Sequence, residues 1–122
     1  MEFEKADDVL RLTSSIIDRL GHKHLIKDQI YCVRSHGSKT RAYARIWGLA
    51  RIFQITAGYK ATYVIEVLSK YFDKLSPQEK IKVIIHELMH IPKTFSGALL
   101  SHKGRYHRIN SREVEKIYNS IY

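Results

Sequence analysis

Ser76-Pro77-Gln78-Glu79-Lys80-Ile81-Lys82-Val83-Ile84-Ile85-His86-Glu87-Leu88-Met89-His90-Ile91-Pro92 is the stretch from which the rest of the chain can be read. It opens with a helix start signal. Ser76 stands at the cap, Pro77 suits the first helical position, and Glu79 completes a capping box. The spacing predicts a helix from Pro77 to about His90. Pro92 cannot continue it, and its ring pushes Ile91 out of the helical region. The helix ends in the pattern H-E-x-x-H. Residues i and i+4 share one helical face, one turn apart. Imidazoles at His86 and His90 can therefore converge on one Zn²⁺ at about 2.0–2.1 Å each. Glu87 is rotated about 100° from His86. It can reach a water on the metal without being a ligand, take its proton as general base, and pass that proton to a leaving amine.

A catalytic zinc needs a third protein ligand and one open position. His102 lies twelve residues after His90, and His107 seventeen. Glu113 and Glu115, on a helix predicted from about Arg112 to Tyr122, are the other donors within reach. Spacing does not decide among these four.

Upstream, Asp7 or Asp8 is placed to cap a first helix that Gly21 closes, with Val9, Leu12, Ile16 and Leu20 at helical spacing. Gln29–Arg34 and Tyr63–Leu68 are rich in β-branched residues and read as strands. Between them, Lys39, Arg41, Arg45 and Arg51 interleave with Tyr43, Ile46 and Trp47. Such a segment can hold phosphates and stack bases. It can also be an amphipathic element whose aromatics enter the core, and we expect the core for Trp47, the only tryptophan.

The chain has 122 residues with 21 Lys+Arg against 12 Asp+Glu, a formal charge of +9. That length fits one domain, 1–122. The charge suits an acidic partner, nucleic acid included, but says nothing about chemistry. A lone cysteine, Cys32, excludes an internal disulfide framework and suits a reducing, cytoplasmic setting. No apolar run is long enough to span a bilayer, so no membrane role is expected. No heptad pattern is present, and a monomer is expected.

Tyr63-Val64-Ile65-Glu66-Val67, Phe72-Asp73-Lys74-Leu75-Ser76 and His86 through Gly97 together resemble the metallopeptidase family found in archaea and phages. Ile30–Ser35 and Ala44–Leu49 are also similar, so the resemblance covers most of Gln29 to about Tyr106. In that family the loop after His-Ile-Pro-Lys carries glycines and then a histidine, which falls on His102 here. The resemblance thus implies a metal set of His86, His90 and His102, with Glu87 catalytic and one Zn²⁺ per chain. Ala98-Leu99-Leu100 departs from the family's more glycine-rich, basic run, which leaves a carry-over to Tyr106 as oxyanion donor open. The implied architecture is α+β, a minimal zincin-like fold with a small twisted mixed sheet packed on helices and an H-E-x-x-H active-site helix. Tyr63–Leu68 would edge the cleft and pair with an extended peptide or protein substrate. The rival expectations are a basic DNA-associated protein, either SprT-like protease or structural-zinc module, and a metal-free scaffold.

Overall fold

A computed structural model describes residues 1–122. Its elements are β1 (Glu2–Lys5), α1 (Asp7–Leu20), β2 (Ile30–His36), β3 (Ala44–Gly48), α2 (Arg51–Ala57), β4 (Tyr63–Leu68), α3 (Ser69–Phe72), α4 (Pro77–Leu88) and α5 (Ser111–Ile121). A short 3-10 turn, Lys27–Gln29, leads into β2. The fold is α+β: a mixed four-stranded sheet with five helices. No helix is long and apolar enough to cross a membrane.

The strand order is β1-β2-β4-β3. β2 and β4 run parallel, with Ile30 opposite Tyr63 and Ser35 opposite Leu68. β1 and β3 flank them antiparallel. β4 is therefore interior, which corrects the expectation that Tyr63–Leu68 edges the cleft. It has a strand along each edge, and every residue of it except Val64 is buried. The free edge on the cleft side belongs to β3.

α1 and α4 form a layer on one face of the sheet. α1 packs on β2 and α4, and α4 packs on β3, α1 and α5. Ile30, Cys32, Ile65 and Val67 point into this layer and meet Ile16, Ile84, Ile85 and Leu88. The lone cysteine belongs to this packing. Its thiol lies 3.4 Å from the Thr13 hydroxyl, and burial pushes its pKa up to about 11.

The helix ends follow from capping. The α4 start is as the sequence predicts: Ser76 Oγ accepts from the Glu79 amide at 3.2 Å and donates to the Glu79 carboxylate at 3.1 Å. α4 stops at Leu88, two residues before the predicted end. The Met89 amide still bonds Ile85 C=O, but those of His90 and Ile91 reach back only three residues, to Glu87 and Leu88. The last turn tightens as the chain approaches Pro92. α1 differs from its predicted start. Ala6, not an aspartate, is the N-cap, and Asp7 and Asp8 lie in the first turn. Ala6 is buried, and its amide bonds Cys32 C=O, so β2 takes over the anchoring of the helix start. The two carboxylates favour the helix through its dipole instead.

Candidate metal centre

α4 supplies the first half of the site. Ile84, Ile85 and Leu88 fix its buried face, which leaves His86 and His90 side by side with ring centroids 5.2 Å apart. His90 is then oriented from its far side. Its Nδ1 bonds the carbonyl of Leu100, and the Leu100 amide bonds the His90 carbonyl at 2.8 Å. A ring held through Nδ1–H to a carbonyl carries its lone pair on Nε2, the usual arrangement around a metal-ligating histidine.

The loop after α4 supplies the second half. His102 brings its Nε2 to 3.2 Å from that of His86, and its ring to 4.6 Å from that of His90. One ligand atom from each of His86, His90 and His102 lies within 4.8 Å of the others. Two nitrogens bound at 2.0–2.1 Å to a tetrahedral ion are about 3.3–3.4 Å apart. The His86–His102 spacing is already close to that value, so this donor set fits a zinc-sized ion. The electrostatics agree. Burial, then the neighbouring His90 and His102, lower the His86 pKa to about 4. Burial also lowers that of His90. Both rings are neutral at pH 7, the form that binds a metal.

Glu87 stands beside the three imidazoles and is 7% exposed. Burial raises its pKa to about 7, the range in which a carboxyl can both take and return a proton. The four residues open into a cleft of about 930 Å³ lined by Ala44 and Ile46 of β3, His86, Glu87 and His90 of α4, and Val114 of α5.

β3 meets this cleft with unpaired backbone. The Leu68 amide bonds Tyr43 C=O, and the Leu49 amide bonds Thr62 C=O. In an antiparallel ladder, alternate residues then aim their polar groups at β4. Ala44 and Ile46 aim theirs away, into the cleft.

The loop that carries His102 is tied to the sheet. The Tyr63 hydroxyl accepts from the Gly97 amide at 2.8 Å and donates to Ala98 C=O at 2.7 Å. Gln54 of α2 donates to both Leu49 C=O and Ser96 C=O. The approach is too close for side chains. A Cβ on Gly48 would collide with Gly97 C=O, and one on Gly97 with Leu49 C=O. Gly97 also has φ +94°, a backbone region that glycine enters without steric cost.

The other predicted donors fall elsewhere. His107 bonds Ser101 C=O through Nε2 and packs against Gly104, so it braces the loop rather than joining the cluster. Glu113 pairs with Lys116, and Glu115 with Lys82 on the cleft wall. Tyr106 is 86% exposed and does not line the cleft. Sequence reasoning missed Tyr63 and Gln54 as loop anchors. Tyr63 carried one signal, a hydroxyl at the start of a largely apolar strand, which must find a partner when buried.

Comparison with curated proteins and with solved structures returns no match. A sequence model of one protein family, described as "Putative phage metallopeptidase", matches residues 1–122. With the match spanning the whole chain, the protein belongs to that family.

Proposed function

We propose that residues 1–122 form one zincin-like catalytic domain that hydrolyses peptide bonds with a single zinc ion. The observation that carries this reading is the gathering of three imidazoles beside a buried carboxyl, at the floor of an open cleft. His86, His90 and His102 are the ligands, and the Leu100 carbonyl sets the tautomer of His90. When bound, the ion supplies a Lewis acid for the substrate carbonyl and lowers the pKa of a water to about 7.

Glu87 is the general base and then the general acid. It takes one proton from the attacking water as the oxygen joins the carbonyl carbon. It returns that proton to the amine nitrogen as the C–N bond breaks. An ion beside it lowers its pKa from the metal-free value and favours the base form. Substrate enters as an extended segment that adds antiparallel to β3, with its backbone on the free groups of Ala44 and Ile46. The exposed, shallow cleft suits unfolded polypeptide. A structural metal is disfavoured because no fourth protein donor joins the cluster. The buried thiol of Cys32 suits a reducing, cytoplasmic setting.

The test is metal content with activity. Untagged protein should hold close to one zinc per chain and cleave an unfolded protein such as reduced casein. A chelator should stop cleavage, zinc should restore it, and His90→Ala should lose both metal and activity. Protein without zinc, or cleavage indifferent to the chelator, would overturn the reading.

A further inference from the structure

We propose that the outer face of the sheet, opposite the helices, binds single-stranded nucleic acid. Its aromatic residues, Phe3, Tyr31 and Trp47, do not line the histidine cleft, and the inference stands apart from the peptidase reading.

The register assembles this face. Tyr31 lies opposite Val64, and Val64 opposite Trp47, so two aromatics flank one valine across three strands. Tyr31 is 51% exposed and Trp47 52%, which corrects the expectation of a core position for Trp47. Phe3 of β1 stands on the same face, opposite Ser35, at 55%. No helix covers them, because α1 and α4 lie on the other side.

Trp47 is held in place. Its indole N–H donates to Glu66 Oε1 at 2.8 Å, and Arg45 Nε donates to the same oxygen at 2.8 Å. Glu66 is fully buried. A buried carboxylate that fixes an exposed indole gives a flat, preorganised ring for stacking. Base–aromatic stacking tolerates any sequence, because every base has a π-face.

Charge selects the occupant. Residues 29 to 65 contain no Asp or Glu but carry Arg34, Lys39, Arg41, Arg45, Arg51 and Lys60. Lys39 and Arg41 flank Thr40, whose hydroxyl faces Arg45. Lys60 shares a shallow hollow with Tyr31 and Trp47, and Asp28 stands at the same hollow as its one carboxylate. Lys5 is opposite Val33 on the outer face. None of Lys5, Lys39, Arg41 and Lys60 is ion-paired. Of the carboxylates at this face, Glu66 is neutralised by Arg45, which leaves Asp28 alone against the free cations. The carboxylates of β1, Glu2 and Glu4, alternate onto the helix side, where Glu4 meets His36. A second copy of the chain would bring these free cations against themselves. A polyanion with stackable rings fits both features.

The sole tryptophan reports on this surface. An oligothymidine of about twelve nucleotides should quench Trp47 fluorescence. Four phosphate contacts predict a log–log salt slope near −3, so affinity should fall about 50-fold between 50 and 200 mM salt. Tyr31→Ala should weaken binding about 10-fold while leaving the thermal midpoint and zinc content unchanged. Lys39→Gln with Arg41→Gln should reduce the slope to about −1.5. No quenching at 50 mM salt would overturn the proposal. So would binding that Tyr31→Ala leaves unchanged, or a duplex of equal length competing as well as the single strand. A doubled mass without oligonucleotide that Tyr31→Ala abolishes would assign the face to a second copy instead.

Discussion

On the helix side of the sheet, Ile30, Cys32, Ile65 and Val67 are sealed beneath α1 and α4, and the histidine cluster opens at the layer's margin. On the other side, Tyr31, Trp47 and Phe3 stand half exposed with nothing over them. Both faces are rich in apolar side chains, yet only one is a core. The difference lies in what the helices offer. α1 and α4 each carry one apolar stripe, and each can bury it only once. The inner face couples stability to the site, because α4 serves both. The outer face is free of that coupling, and its half-exposed residues Tyr31, Trp47 and Phe3 can be altered at little cost to folding.

The largest effect expected tests chemistry at the inner layer. Glu87→Gln should keep the bound metal and lower the rate of peptide hydrolysis by about 10²–10⁴-fold, the usual contribution of a positioned acid–base group. Parallel metal analysis and casein cleavage check this, and cleavage at the parent rate would remove Glu87 from the mechanism. Packing comes next. Ile84 is fully buried under the sheet, so Ile84→Ala should cost about 2–5 kcal/mol in urea unfolding. Tyr31→Ala, on the opposite face, should change stability by less than about 0.5 kcal/mol. Equal costs at the two positions would mean that the outer face is also covered in solution.

This asymmetry also explains which parts were legible in the sequence. α4 was readable because the capping box, the apolar spacing and Pro92 all agree, and its two histidines follow from helical period alone. β4 was readable as a strand but not as an interior one, since composition does not state which neighbours it has. β1 and α2 were missed: four residues at a terminus and seven residues without a buried side chain give no periodic signal. β3 was misread. Tyr43, Arg45 and Trp47 alternate with Ala44, Ile46 and Gly48 at a period of two, but the usual rule places the large aromatics inside. Here Ala44 and Ile46 face the helices and the cleft, and the tryptophan faces out. His102 became preferred through family resemblance rather than spacing, because a loop's path is set by contacts distant in sequence. Those contacts are the Tyr63 and Gln54 hydrogen bonds to residues 96–98.

Tyr63 links the two halves of the site, and its removal is the next test. Tyr63→Phe keeps the buried ring and its edge contact with Phe95 but leaves the Gly97 amide and the Ala98 carbonyl without this partner. The loop then holds His102 less firmly, while His86 and His90 stay on α4. Zinc affinity should fall by about 10–100-fold, the range for groups that orient metal ligands. Competition with a chromogenic chelator measures it. An unchanged affinity with a lowered thermal midpoint would make Tyr63 a core residue and nothing more.

The smallest effect concerns acid and the outer face. Burial opposes the charge on Glu66, but the hydrogen bonds from Arg45 and Trp47 outweigh it and hold the carboxyl below its usual value. Asp8 is lowered as well, by its hydrogen bond to Arg34. A carboxyl with a depressed folded pKa binds its proton more readily in the unfolded chain. Its contribution is therefore complete above the unfolded value, about 4, and is lost as the pH falls through the lower folded value. Urea midpoints in metal-free protein should stay level with respect to these groups down to about pH 5, then decline. Glu66→Gln should flatten that decline while Trp47 fluorescence shows the indole released from its partner. If the decline keeps its slope in the variant, the acid sensitivity belongs to Asp8 and the helix side, and Glu66 serves to position the tryptophan without contributing pH-dependent stability.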